Sequence, residues 1–227
     1  MLILLFFMTE YTSKAQQIFS NYPKYELRAV WLTTLSGLDW PRRPTHLNTT
    51  AINRQKEELI SILDKLKAAN INTVLIQTRI RATVIYPSAI EPWDECFSGT
   101  YGRSPGYDPL AFAIDECHKR GMEIHAWVVV IPVGKWNSYG CKALRRKMPK
   151  LIIKKGDQGY MDPANPHTAS YMASFCKEIT TNYDIDGIHL DYIRYPEAYR
   201  YSAHRYNEYI SQCSTQIGTY RKTMCKT

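Results

Sequence analysis

The densest run of side chains able to do chemistry is Asp186-Gly187-Ile188-His189-Leu190-Asp191-Tyr192-Ile193-Arg194-Tyr195-Pro196. In an extended chain alternate residues share a face, so His189 and Asp191 fall on one side and Ile188, Leu190 and Tyr192 on the other. If the apolar side packs against helices, the Asp191 carboxylate points inward near the end of its strand. A partly desolvated carboxylate there, beside a cation such as Arg194 or Arg79, can act as nucleophile, base or electrostatic stabiliser. The competing reading is an Asp–Arg pair that only fixes the loop. Asp186 reads as the residue that holds the turn before the strand. His125 and Trp127 share a face of EIHAWVVVI (123–131) and together make a wall for a sugar ring, unless His125 is a core histidine satisfied by a carbonyl. Arg79 ends another β-rich run, as a binding group or as a structural arginine. Tyr86, Trp93, Tyr101 and Trp136 lie in loops, to stack on sugars or to pack those loops. No spacing among His125, His189 and Asp191 enforces a ligand geometry, so no metal is assigned, and the chemistry needs no cofactor.

These residues must be positioned by regular elements, and the boundaries of several are legible. RAVWLTTL (28–35) and INTVLIQTRI (71–80) are β-rich; in the second, Val74 and Ile76 share one face while Gln77 and Arg79 bring polar groups to the C-terminal end of the strand. Between them, Ile52, Leu59, Ile62, Leu63, Leu66 and Ala69 recur at helical spacing from about Thr49 or Thr50, and Asn70 closes that helix. Asp108-Pro109 and Asn165-Pro166 each supply a capping side chain followed by proline at the first helical position. Gly121 and Asn182 mark the corresponding ends. The stretch 81–107 and the basic stretch 142–155 read as long loops, and a last helix is expected over about 198–212. The order β-α-β-α-β-α-β predicts an α/β fold with a parallel sheet. Its long loops follow strands, the side on which α/β barrels build active sites. No glycine-rich phosphate loop or G-x-S-x-G elbow stands at any strand–helix turn, which removes the usual signals of dinucleotide, nucleoside-triphosphate and serine-hydrolase chemistry.

The 227 residues are 44% hydrophobic and 22% charged, the balance of a folded globular chain. The formal charge of +8 is concentrated in two places. Lys142, Arg145, Arg146, Lys147, Lys150, Lys154 and Lys155 run without an intervening acid, and Arg200, Arg205, Arg221, Lys222 and Lys226 face only Glu208. A basic loop and a basic tail read as solvated surface, not as a nucleic-acid interface. The six cysteines show neither C-x-x-C pairs nor zinc spacing, and Cys117 and Cys176 fall on core faces of helices. The opening MLILLFFM is too short to span a bilayer and resembles the apolar part of a secretory leader cleaved after Ala15, although no basic residue precedes it. The alternative is a buried strand. A leader over 1–15 would place the protein in a periplasm or outside the cell.

A family resemblance joins these segments. Glu26-Leu27-Arg28-Ala29-Val30-Trp31, Gln77-Thr78-Arg79, Tyr86-Pro87-Ser88 with Glu91-Pro92-Trp93, Gly106-Tyr107-Asp108-Pro109-Leu110, His125-Ala126-Trp127 and the segment 186–196 occur in the order found in the glycosyl-hydrolase-like 10 family, which they resemble over about 26–197. The resemblance implies an exported bacterial protein with a (β/α)8 TIM-type barrel, of which the chain holds about the first four βα units over 26–210, followed by an unpatterned tail, 211–227. It also implies a glycoside hydrolase acting on a polysaccharide or cell-wall glycan. The last motif is similar to the fourth strand of α-amylase-type barrels, Gly-x-Arg-x-Asp, in which Asp191 matches the nucleophile and His189 stands in place of the arginine. Tyr86, Arg79, His125, Trp127, His189 and Arg194 would then contact the sugar or hold the aspartate.

Hydrolysis of a glycoside needs two carboxyl groups, roughly 5 Å apart for retention and roughly 6.5–9.5 Å for inversion. Asp191 is one. Asp162, Glu91 and Asp94 sit on segments read as mobile loops and are poor partners, so the second is expected beyond Thr227. Two other readings stay open: a carbohydrate-binding protein without an acid/base pair, and an inactive truncated product. About four βα units also leave open sheet edges through which copies of the chain can associate.

Overall fold

The computed structural model describes residues 26–196. Four strands, β1 (Ala29–Leu32), β2 (Thr73–Arg79), β3 (Glu123–Val129) and β7 (Gly187–Asp191), form one parallel sheet in the order β1-β2-β3-β7. The crossovers are α1 (Thr49–Ala68), α3 (Pro109–Lys119) and α5 (Pro166–Asn182). The capping chemistry sets their starts: Asp108 accepts from Leu110 and Ala111 N–H, Asn165 accepts from His167 N–H, and α1 is capped by Asn48 accepting from Ala51 N–H. Gly121 takes the left-handed conformation (φ 60°) that turns the chain from α3 into β3. The expected helix over 198–212, the leader over 1–15 and the tail 211–227 lie outside the described residues.

Leu59 and Leu63 of α1, Leu110 and Ala113 of α3, and Phe175 and Ile179 of α5 bury against Val74, Ile76, Ile124, Ala126 and Val128, which point to the helical side of the sheet. Every residue of β2 is buried, as befits an inner strand. Cys117 and Cys176 lie in this layer outside any disulfide, and burial pushes the Cys117 thiol up to about 12, so it packs as a small apolar group. On the opposite face the sheet is strongly rolled. β1 and β7 are its two edges, three strand spacings or about 14 Å apart if flat. Yet Trp31 on β1 and His189 on β7 meet edge to face with ring centroids 5.9 Å apart. This is the curl of a barrel wall, and the described residues form a partial TIM-type barrel.

The two stretches expected as loops are built differently. The basic stretch is structured: β4 (Pro132–Lys135), β5 (Ile152–Lys155) and β6 (Gln158–Met161) make a three-stranded antiparallel sheet in the order β4-β6-β5, with α4 (Tyr139–Lys147) packed on it. Left-handed Gly156 (φ 59°) turns the β5–β6 hairpin. Part of the charge is used internally, since the Arg145 guanidinium lies 3.7 Å from the centroid of the Trp136 ring and donates to the Trp136 carbonyl at 2.9 Å. Trp136 therefore packs this small sheet. The stretch 81–107 contains α2 (Glu95–Ser98), capped by Asp94, whose second oxygen accepts from Thr83 Oγ at 2.6 Å.

Glu91, also expected on a mobile loop, is buried and grips Arg79. The Arg79 guanidinium donates to both Glu91 oxygens, from Nη2 to Oε1 at 2.7 Å and from Nε to Oε2 at 2.9 Å. It also donates to the carbonyls of Val129 and Val130, and Tyr171 of α5 donates to Glu91 at 3.0 Å. Arg79 has no exposed surface, so it does not meet a sugar as expected. The cause is a bulge. Gln77 pairs with Trp127 and Arg79 with Val128, so Thr78 is an extra residue and Arg79 emerges on the Val128 side, toward Phe175. Tyr86 is likewise fully buried, its hydroxyl donating to Glu178 of α5 at 2.7 Å, and is a packing residue instead of a sugar contact.

Two outcomes follow for stability. Glu91→Ala strands a buried guanidinium and lowers the unfolding free energy by about 3–5 kcal/mol, read from urea midpoints; a loss under about 1 kcal/mol contradicts the role given to the pair. Gly140 presses on the loop after β2, where an added Cβ would lie 2.6 Å from the Ala82 carbonyl oxygen. Gly140→Ala thus costs about 1–3 kcal/mol through overpacking, and an unchanged midpoint would show that α4 shifts freely.

Candidate active site

The C-terminal ends of the parallel strands converge on a cleft of about 570 Å³, well within the range of small-molecule sites. Thr33 from the end of β1, Gln77 from β2 and Trp127 from β3 form one side, and β5 and β6 supply the far wall through Lys155 and Tyr160. The bulge that removes Arg79 leaves Gln77 on the inner face. Its Oε1 accepts from Thr33 Oγ at 2.6 Å, Thr34 N–H at 3.1 Å and Leu35 N–H at 3.0 Å, locking the chain where it leaves β1. With Oε1 saturated, its Nε2 has no partner among the described residues and is left to the cleft.

Asp191 ends β7 on the same inward face as Trp127, because His189 pairs with Trp127 and Asp191 with Val129. Trp127 Nε1 donates to Asp191 Oδ2 at 3.0 Å, and Tyr192 N–H donates to Oδ1 at 2.7 Å. Both carboxylate oxygens are thus held by neutral N–H donors, and among the described residues no cation completes the pair expected from Arg79 or Arg194. Tyr192 adopts φ 53°, a left-handed conformation that costs an ordinary residue about 1–2 kcal/mol. That turn directs its own N–H back at the carboxylate. Arg194 is exposed, lines the cleft and lies over the Tyr192 ring at 5.3 Å.

The two histidines lie lower on the concave face. His125 is one pleat below Trp127, and its ring crosses Gly187, where a Cβ would be 2.8 Å from the imidazole. Its Nε2 is 3.6 Å from Glu123 Oε2. His189 packs on Trp31. Of the residues singled out in the sequence, Trp127, Asp191 and Arg194 are therefore gathered at the strand ends, His125 and His189 lie beneath, and Arg79 and Tyr86 are behind the sheet. Asp186 holds the strand start, accepting from Ile124 N–H at 2.8 Å. Gln77, Thr33, Arg81 and Lys155 are cleft residues that the sequence reading did not assign as sites; strand alternation marked Gln77, but the others needed the fold. Arg81, Lys155 and Arg194 give the lining three cations, and none of its described residues is Asp or Glu. Among the described residues no three His, Cys, Asp or Glu side chains gather as metal ligands.

The chain is 36% identical over 175 residues to glycosyl hydrolase YngK of Bacillus subtilis, covering 75% of this chain and 34% of that protein. It is 34% identical over 187 residues to glycosyl hydrolase DigH of Escherichia coli, covering 76% of this chain and 43% of that one. It thus spans between a third and a half of these relatives. Among solved structures, a hypothetical protein of Ruminiclostridium thermocellum superposes with TM-score 0.56 at 16% identity, over 82% of this chain and 92% of the other. The α-L-fucosidase isoenzyme 2 of Paenibacillus thiaminolyticus gives 0.56 at 15%, over 86% and 31%. At these identities the structural likeness speaks for the fold alone. The family model for Glycosyl hydrolase-like 10 matches residues 26–220, and the chain belongs to that family.

Proposed function

We propose that this chain carries the nucleophile side of a glycoside hydrolase acting on a polysaccharide or cell-wall glycan. The observation that carries this reading is the Asp191 carboxylate at a strand end, oriented by Trp127 and Tyr192 beside a cleft of about 570 Å³. In the retaining form of the reaction, an Asp191 oxygen attacks the anomeric carbon as the glycosidic bond breaks, and the leaving oxygen takes a proton from a second carboxylic acid; water then releases the glycosyl ester. Asp191 serves equally as a stabilising carboxylate if water attacks directly. Gln77 Nε2, Arg81, Lys155 and Arg194 are the donors available to sugar hydroxyls, and the Trp127 indole borders the ring.

Among the described residues no carboxyl group lines the cleft itself: Asp191 stands beside it, held by Trp127 and Tyr192, and Glu91 and Asp94 are committed to Arg79 and to the start of α2. That observation favours, as the second reading, a carbohydrate-binding protein without hydrolysis. Export to a periplasm or the cell exterior, and association of copies through the β1 and β7 edges, belong to the same proposal. No helix of the described residues is long and apolar enough to cross a membrane.

Release of reducing ends from polysaccharide and peptidoglycan panels decides between the readings. Asp191→Asn lowers the rate on the order of 10³-fold or more with the urea midpoint unchanged, as expected for loss of a reacting carboxylate. Full activity in that variant removes Asp191 from the chemistry. Glycan binding by calorimetry with no hydrolysis by the wild-type chain establishes the binding protein.

A further inference from the structure

The cleft does not end at Arg81. A second cavity of about 600 Å³ lies on the same side of the sheet, and it shares Leu35, Ile80, Arg81 and Gly134 with the first. Gly134 makes the junction possible: it is left-handed (φ 94°), and a Cβ there would lie 3.3 Å from Arg81 Cβ, against the arginine stem. The exposed Arg81 guanidinium stands between the two spaces with no partner among the described residues.

The second cavity carries its own aromatic platform. Tyr101 lines it, and Tyr139 from the start of α4 stacks on Tyr101 with centroids 5.2 Å apart and planes 7° from parallel. The stack joins the loop after β2 to the helix after β4. It is closely fitted, since a Cβ on Gly102 would lie 2.7 Å from the Tyr139 hydroxyl. Tyr139 covers one face of the half-buried Tyr101, and since Tyr101 also lines the cavity, its other face is the one we assign to a flat apolar surface, which a pyranose ring presents. Lys135 supplies an exposed donor at the same wall.

We infer that the cavity floored by Tyr101 is a second glycan subsite, continuous with the Asp191 cleft across Arg81, so that the site takes an extended sugar chain instead of a terminal unit. This rests on the glycan reading of the cleft and extends it to substrate length. Arg81 donates to the sugar that crosses the junction, and Tyr101 stacks on a unit beyond it.

The test is calorimetry of the whole chain with two-sugar and six-sugar oligomers of β-1,4-linked N-acetylglucosamine, glucose and mannose. For at least one series, the wild-type chain binds the longer probe roughly tenfold tighter, Tyr101→Ala removes that gain while keeping the affinity for the shorter one, and Tyr101→Phe retains it. Trp127→Ala weakens both lengths. Cooperative urea unfolding of both Tyr101 variants shows that each stays folded under the assay conditions, even where loss of the Tyr139 stack lowers the midpoint. Equal affinity of the wild-type chain for both lengths, or equal weakening of both by Tyr101→Ala, overturns the second subsite while the glycan reading stands. No binding of any probe by the wild-type chain overturns both.

Discussion

A guanidinium with no exposed surface is among the costliest groups a fold can bury, and it persists only where its hydrogen bonds are met. Arg79 meets them by drawing together three parts of the chain: the bulged end of β2, the loop that carries Glu91, and α5 through Tyr171. The carbonyls of Val129 and Val130 bring in the end of β3 as well. Because the planar guanidinium donates its Nε and Nη2 hydrogens along fixed parallel directions to the two Glu91 oxygens, this knot fixes directions as well as proximities. It stands immediately behind the strand ends from which the cleft side chains project. The inner face is thus built on a buried ionic anchor that never touches it.

From that anchor the alternation of strand side chains does the rest. The same bulge that sends Arg79 backwards keeps Gln77 facing inward, where one oxygen organises the exit of β1. In-register pairing of β3 with β7 then brings the Trp127 indole within hydrogen-bond reach of Asp191. Under the proposed function, this carboxylate, fixed at a strand end by two N–H donors, is one of the two carboxyl partners of the displacement at an anomeric carbon.

What the sequence made legible was local. Asp108-Pro109 and Asn165-Pro166 capped helices where their chemistry said they should, and the segment 187–191 showed its two faces without ambiguity. The position of Arg79 was not legible, because an extra residue in a parallel ladder depends on the register of the neighbouring strand, which no single segment encodes. The small antiparallel sheet was hidden for a different reason. Its strands are four residues long, and the Ile-Ile-Lys-Lys of β5 does not alternate, so charge dominated the reading. Tyr86 was misjudged through its company: an aromatic in a Pro-rich stretch looks available until Glu178, more than ninety positions on, accepts its hydroxyl.

The antiparallel sheet enters and leaves the barrel wall at adjoining points, since Met161 N–H bonds the carbonyl of Ile131 at 2.8 Å. It is therefore an excursion tied off at its base, inserted between β3 and α5. The β5–β6 hairpin pairs separately from the β3–β7 ladder that carries Trp127 and Asp191. Under the proposed glycan reading, the ladder holds the reacting carboxylate while this excursion adds Lys155 and Tyr160 to the wall that faces the sugar, so the two contributions sit on separate stretches of chain.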